Sequence, residues 1–240
     1  MHFGRKLIHL DSVDSTNNYV ANLVKEQGLS SGTVIMADHQ FAGKGQRDAE
    51  WQSLAGMNLT LSIYLDDVNL SVNRQFRITQ LISLGIHEFL KQQGIESEIK
   101  WPNDVYVNGI KIGGILIENH ISGKEIKSSI IGIGLNVNQK DFGSINATSM
   151  SLESGKQYIL NELYFSFIHV MNGVWEKYWA DINLDKRYLN SLYRIDVRSS
   201  YTDKNGEFEG VITGVSSEGK LRMERGAETI EYTLKEISFR

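Results

Sequence analysis

No cysteine occurs in the 240 residues, which excludes a disulfide framework, a thiol nucleophile and any cysteine-based metal site. There is one proline, Pro102. No apolar run is long enough to cross a bilayer, and residues 1–14, with Arg5 and Lys6, lack the apolar core of a secretory signal. A cytoplasmic location is therefore expected, away from any membrane. Charge of one sign is also scarce. A net charge of −4 gives no overall field for nucleic acid, so nucleic acid is not an expected partner. His2, His9, His39, His87, His120 and His169 show no metal-ligand spacing, and no Walker phosphate loop is present. No direct protein ligation of a metal is predicted.

The chain is long enough to bury a sizeable core, as one large domain with a small appendage. Residues 17–27 put Val20, Leu23 and Val24 on one helical face, with Asp14 or Ser15 able to cap the start and Gly28 to end it. Residues 33–38 and 57–65 read as strands, the second alternating Leu59, Leu61, Ile63 and Leu65 with smaller or polar residues. Helical periods follow over 74–93 and 158–178. Between them, Asn108-Gly109 predicts a two-residue hairpin turn inside 104–118, with Lys111 near the start of the returning strand, and 127–138 reads as a further strand. From about Ile195 the pattern turns to short strands punctuated by Asn205-Gly206 and Glu218-Gly219. The expected fold is α+β: a mixed or antiparallel sheet flanked by helices over 1–192, then a small C-terminal β-barrel over 193–240.

Gly43-Lys44-Gly45-Gln46-Arg47-Asp48 starts like a dinucleotide fingerprint, but its last position is not glycine and a strand rather than a helix follows. What remains is a loop whose glycines let backbone amides approach a ligand, with Lys44 and Arg47 supplying charge for phosphate or carboxylate. An idle solvated loop is an equal alternative for this segment alone. Lys100-Trp101-Pro102-Asn103-Asp104 leads into the hairpin, either as part of a site or as a turn with an aromatic core plug. Gly113-Gly114, after Lys111-Ile112, weakens a strand unless something must approach its backbone: a ligand, a bulge, or a packed helix. Gly132-Ile133-Gly134-Leu135-Asn136 again puts small residues in a strand, ending on an amide that can donate and accept.

Taken in order, Asp14-Ser15-Thr16-Asn17, the loop 40–51, and the runs 100–104, 111–116 and 132–136 resemble the catalytic domain of biotin protein ligases. The β-rich tail is similar to that family's small C-terminal barrel. The resemblance implies that biotin and ATP, with Mg²⁺, form biotinyl-5′-adenylate, and that the biotinyl group then passes to one lysine of a biotin carboxyl carrier domain. By the same resemblance Ser15, Thr16, Asn17 and Gln40 lie along the ureido ring, and Gly43, Lys44, Gly45, Gln46, Lys111, Gly114, Leu116 and Gly132 complete the biotin side. Gln46, Arg47, Trp51, Lys111 and Asn136 face the nucleotide. Lys111, Arg47, Lys44 and Asp104 are the candidate catalytic groups, Asp104 as a base or orienting group for the acceptor lysine.

Preorganised cations are needed because a carboxylate and a triphosphate repel each other. The 40–51 loop is expected to close over the water-sensitive mixed anhydride. Relatives often carry arginine at Gln46 and glycine at Asp48, so the adenylate is expected to be held less tightly here. The catalytic motifs begin near the first residue, which disfavours an N-terminal DNA-binding domain with repressor function. A homodimer formed edge to edge is one expected assembly. Two other readings are a lipoate or octanoyl transferase, whose Arg-Arg and triple-glycine signature is not seen, and a non-catalytic biotin-binding module.

Overall fold

A computed structural model describes residues 2–46 and 49–240. The chain opens with strand β1 (Lys6–Val13), helix α1 (Thr16–Gln27) and strand β2 (Thr33–Gln40). β1 and β2 are neighbours and parallel, which requires the crossover that α1 supplies. β3 (Asn58–Leu65), the short β4 (Leu70–Ser71) and α2 (Phe76–Gln92) follow, then β5 (Glu98–Lys100), β6 (Asp104–Val107), β7 (Ile110–Ser122) and β8 (Glu125–Asn136). The large sheet runs β1-β2-β3-β8-β7-β6-β5, with β4 on β8.

Short α3 (Met150–Ser154) precedes α4 (Leu160–Tyr178) and α5 (Leu184–Asn190). A second, antiparallel sheet is built from β9 (Arg198–Asp203), β10 (Gly206–Val215), β11 (Leu221–Arg225), β12 (Glu228–Tyr232) and β13 (Ser238–Phe239). The expected small C-terminal β unit is thus present. Its ladder is open, in the order β12-β11-β10-β9-β13.

The alternation in β3 decides which face does what. Leu59, Leu61, Ile63 and Leu65 join the main core with Ile131, Ile133 and Leu135 of β8 and the apolar stripes of α2 and α4. Thr60, Ser62 and Tyr64 point the other way, where α1 covers part of the sheet through a small cluster of Val20, Ile35 and Tyr64. All eight β3 residues are buried, so the polar ones must find partners inside the protein. On the main-core side Arg77 of α2 donates to the backbone carbonyls of Tyr178, Trp179 and Asp181 at 2.8–2.9 Å, satisfying the end of α4. Asn172 of α4 pairs with both backbone groups of Phe3 at 2.7 and 3.0 Å, which fixes the start of β1.

The Asn108-Gly109 turn has positive φ at both positions, 51° and 76°, as a tight hairpin turn of this kind requires. Lys111 follows directly in β7. Five elements were not foreseen: β1, β4, β5, α3 and α5. β1 is an edge strand carrying Lys6, His9 and Asp11, so its apolar alternation is diluted; α3 and α5, at 5 and 7 residues, are too short to show a helical repeat.

Candidate active site

The site occupies the part of the α1-side sheet face that α1 leaves uncovered. Ser15 stands at the N-cap of α1 in an extended conformation, yet its side chain makes no capping hydrogen bond; the residue lines the pocket. Thr16 and Asn17 form the first turn and are 3% and 2% exposed. At that depth their polar groups are costly unless bonded. The backbone N–H of Thr16 donates to Gln40 Oε1 at 2.8 Å, and Thr16 Oγ1 lies 3.1 Å from the same oxygen. Ser62 Oγ lies 2.6 Å from Asn17 Oδ1 and 2.7 Å from Thr16 Oγ1. Asn17 Nδ2 donates to Glu118 Oε2 at 2.7 Å.

The strand glycines make room for these side chains. Gly132 pairs with Ser62 and Leu116, and Gly134 with Thr60 and Gly114, so all lie on the site face. A Cβ on Gly132 would come within 2.6 Å of Asn17 Oδ1, and one on Gly134 would enter the Trp51 indole ring. At Gly114 it would crowd Lys111 Nζ at 3.2 Å and Asp104 Oδ1 at 3.3 Å. Of the explanations open for the β7 glycines, Gly114 is accounted for by these two side chains, while Gly113 lies against the Gly134 carbonyl.

Lys111 Nζ and Asp104 Oδ1 form an ion pair at 2.6 Å, with side chains 34% and 23% exposed. The ammonium is 5.9 Å from the centre of the Trp51 ring. A register irregularity between Val105 and Tyr106 sets Lys111 opposite Tyr106 while Gly114 stays opposite Asp104, which brings the two charges to one end of the face. Lys100 of the same run is turned elsewhere. Its ammonium sits 4.6 Å from the Tyr106 ring centre and 5.0 Å from that of Phe239, and burial pushes its pKa below the usual lysine value. Trp101 is a buried plug whose Nε1 donates to the Gly219 carbonyl at 2.9 Å.

The basic loop is folded over the face. Trp51 N donates to Gly43 O at 2.9 Å and Gly45 N to Ala49 O at 2.6 Å. Lys44 Nζ donates to Asn18 Oδ1 at 2.7 Å, tying the loop to α1. Asn18 in turn donates to Asp14, and that bond, aided by the charge of Lys44, lowers the Asp14 carboxyl pKa despite partial desolvation. Arg47 and Asp48 lie outside the described residues.

These parts line one common pocket, with a cavity volume of about 60 Å³. Its walls bring together Ser15, Thr16, Asn17, Gln40, Lys44, Gly45, Gln46, Trp51, Asp104, Lys111, Gly114, Leu116 and Gly132. Gly43 is set just behind, where a Cβ would lie 3.3 Å from Gln40 Nε2. Asn136 is on the same strand face but below the cavity wall. Its Nδ2 donates to Thr148 O at 2.9 Å, and Thr148 N donates to Lys111 O at 2.8 Å, so it braces the backbone that carries Lys111. Asn136 Oδ1 and Trp51 Nε1 are buried with no partner among the described residues. The same holds for Ser53 Oγ, Ser83 Oγ and the hydroxyls of Tyr164, Tyr188 and Tyr201, so unpartnered atoms are not peculiar to the site.

Sequence reasoning did not single out Leu61, Asn103, Ile115, Ile133 and Gly134 as wall residues, nor Ser62 and Glu118 behind Thr16 and Asn17. Asn103 and Gly134 sit inside runs that were noted. For Ser62 the signal was the polar half of the β3 alternation.

The biotin/lipoate A/B protein ligase family model matches residues 9–136. The chain belongs to this family. It is 30% identical over 230 residues to the bifunctional ligase/repressor BirA of Bacillus spizizenii, covering 92% of this chain and 70% of that protein. It is 28% identical over 231 residues to the chloroplastic biotin–protein ligase 1 of Arabidopsis thaliana, covering 91% and 62%. Among solved structures, the biotin protein ligase of Aquifex aeolicus in complex with biotin and ATP superimposes with a TM-score of 0.80 at 26% identity, over 98% of this chain and 99% of that one.

Proposed function

We propose that this protein is a biotin protein ligase: it activates biotin with ATP to biotinyl-5′-adenylate and transfers the biotinyl group to a lysine of a biotin carboxyl carrier protein or domain. In the first step a biotin carboxylate oxygen bonds to the α-phosphorus and the bond to pyrophosphate breaks. In the second, the carrier lysine attacks the acyl carbon, loses a proton, and AMP leaves. The observation that carries this reading is that one small cavity joins a hydrogen-bonded hydroxyl and amide cluster to a Lys–Asp ion pair. The first suits a cyclic urea and the second the reacting anions.

In this reading Ser15, Thr16, Asn17 and Gln40 hold the ureido ring, while Gly43, Gly45, Gly114, Leu116 and Gly132 let the ring and chain lie close to backbone. Lys111 neutralises the carboxylate and α-phosphate as they meet, the contribution expected of a preorganised cation. Lys44, Gln46 and Arg47 border the phosphates. Asp104, already against Lys111, orients the acceptor lysine or takes its proton. Trp51 covers the adenine, and the unpartnered Oδ1 of Asn136 gains a donor when the nucleotide binds. Among the described residues no three His, Asp or Glu side chains gather as a metal site. Mg²⁺ would be held chiefly by ATP phosphate oxygens, as that ion prefers.

We further propose that residues 1–192 form the catalytic unit and 193–240 the small β unit. No helix of the described residues is long and apolar enough to cross a membrane, and a cysteine-free chain fits the cytoplasm. β1 is an outer strand of the large sheet, the edge along which a second copy would pair. The test is biotin-dependent exchange of labelled pyrophosphate into ATP, followed by transfer to an added carrier domain. Exchange without biotin, or none with it, would sink the reading.

A further inference from the structure

We infer that Glu118 is a positioning residue that sets the direction of the hydrogen bonds linking Thr16, Ser62 and Asn17 at the ureido end of the pocket. The inference rests on the biotin reading above but concerns a residue to which that reading gives no role. Glu118 projects from β7 on the site face, opposite Ile130 and one alternation beyond Leu116. An ionised carboxylate only accepts, so it can be met only by the NH₂ of Asn17, at 2.7 Å. That contact, much shorter than the one from the same NH₂ to the Leu116 carbonyl at 3.5 Å, fixes the amide and turns Asn17 Oδ1 towards Ser62 Oγ at 2.6 Å. Ser62 and Thr16 have two hydroxyl protons for three contacts: with the Ser62 proton on Asn17, the Thr16 proton goes to Ser62 Oγ at 2.7 Å in preference to the longer 3.1 Å contact with Gln40 Oε1. At the far end the Thr16 N–H, which only donates, holds Gln40 Oε1 at 2.8 Å, so the Gln40 amide also has a fixed orientation. Donation runs one way, Thr16 to Ser62 to Asn17 to Glu118.

The consequence is what the pocket offers a ligand. Lone pairs remain on Thr16 Oγ1 and Asn17 Oδ1, and the Gln40 Nε2 protons are free. Two acceptors and one donor group complement a cyclic urea, which has two N–H groups and one carbonyl. Without the carboxylate the chain can reverse: Asn17 turns its NH₂ to Ser62, Ser62 donates to Thr16, and Thr16 donates to Gln40. Acceptors for the urea are then consumed inside the protein, and a buried mismatch of donors follows.

The test is Glu118→Gln, nearly isosteric and on an exposed side chain, together with Ser62→Ala and the double variant, in the full chain. Biotin affinity is measured by calorimetry, ATP affinity separately, and stability by thermal melting. Glu118→Gln should weaken biotin binding about tenfold while ATP affinity and melting temperature stay as in the wild type. Ser62→Ala should weaken biotin binding comparably, and the double variant should be little worse than either single one, because both break the same chain. Unchanged biotin affinity in Glu118→Gln overturns the inference, as do fully additive losses or a parallel loss of ATP affinity. A wild-type protein that binds no biotin overturns the ligase reading itself.

Discussion

Lys111 and Asp104 are 2.6 Å apart and each about a third exposed or less, so their pairing contributes no more than about 1 kcal/mol to folding. A cation aimed at charge that develops in a transition state contributes more, typically about 10²–10³-fold in rate. Lys111→Ala should therefore lower pyrophosphate exchange by about two orders of magnitude and leave the urea midpoint almost unmoved. Comparable losses in both would make the residue structural. Gln46 lines the same cavity with a neutral amide. A charged donor to an anion outperforms a neutral one by roughly 1.4 kcal/mol, so Gln46→Arg should slow release of the bound adenylate about tenfold, read by chasing preformed intermediate with unlabelled biotin. Residues of this kind were legible because they stand in ordered runs where glycine, charge and amide recur at short spacing. Ser62 and Glu118 were not. The β3 alternation marks Ser62 only as facing away from the main core and a glutamate after Ile117 carries no local oddity, so their importance arises only when β3, β7 and α1 meet.

The elements that present those residues are mostly short-range structures with readable causes. The Asn108-Gly109 turn aligns β6 with β7 and so decides where Lys111 points. Gly109 has φ of 76°, a region that costs a residue with a Cβ about 1–2 kcal/mol, and its neighbourhood holds only the Tyr193 hydroxyl at 3.7 Å. Gly109→Ala should therefore lose roughly 1 kcal/mol of stability in a urea titration without any steric clash. A loss near 3 kcal/mol would mean that the hairpin itself had rearranged. The strand and helix patterns over β2, β3, α2, β7, β8 and α4 were visible in the sequence as periods of two and 3.6. The parallel pairing of β1 with β2 was not, because β1 lies at the sheet edge and its partner is set by the packing of α1.

Taken whole, the molecule joins its two sheets through the motif that borders the site. Trp101 donates to Gly219 at the β10–β11 turn, and Gly219 has no space for a Cβ against the Phe76 ring, so this turn of the second sheet rests on the first. Nothing in the sequence tied Gly219 to Trp101, which are 118 positions apart, since such a contact is a product of tertiary packing. A global property that can be argued from one half-buried group is acid sensitivity. His87, on α2, is pushed below the ordinary histidine pKa, chiefly by burial, with Lys91 acting the same way and Glu88, Glu96 and the Ser97 contact opposing. The folded protein thus binds a proton at this site less readily than the unfolded chain, whose histidine titrates near pH 6.5. Stability is full above that pH and falls as acid takes the solution through the window below it. Asp14, with a lowered pKa, acts only below about pH 4, and Glu98, with a raised one, works in the opposite direction. A drop in urea midpoint between about pH 7 and pH 5.5 is therefore assigned to His87, and His87→Gln should flatten it. If the slope survives that substitution, another buried base is responsible.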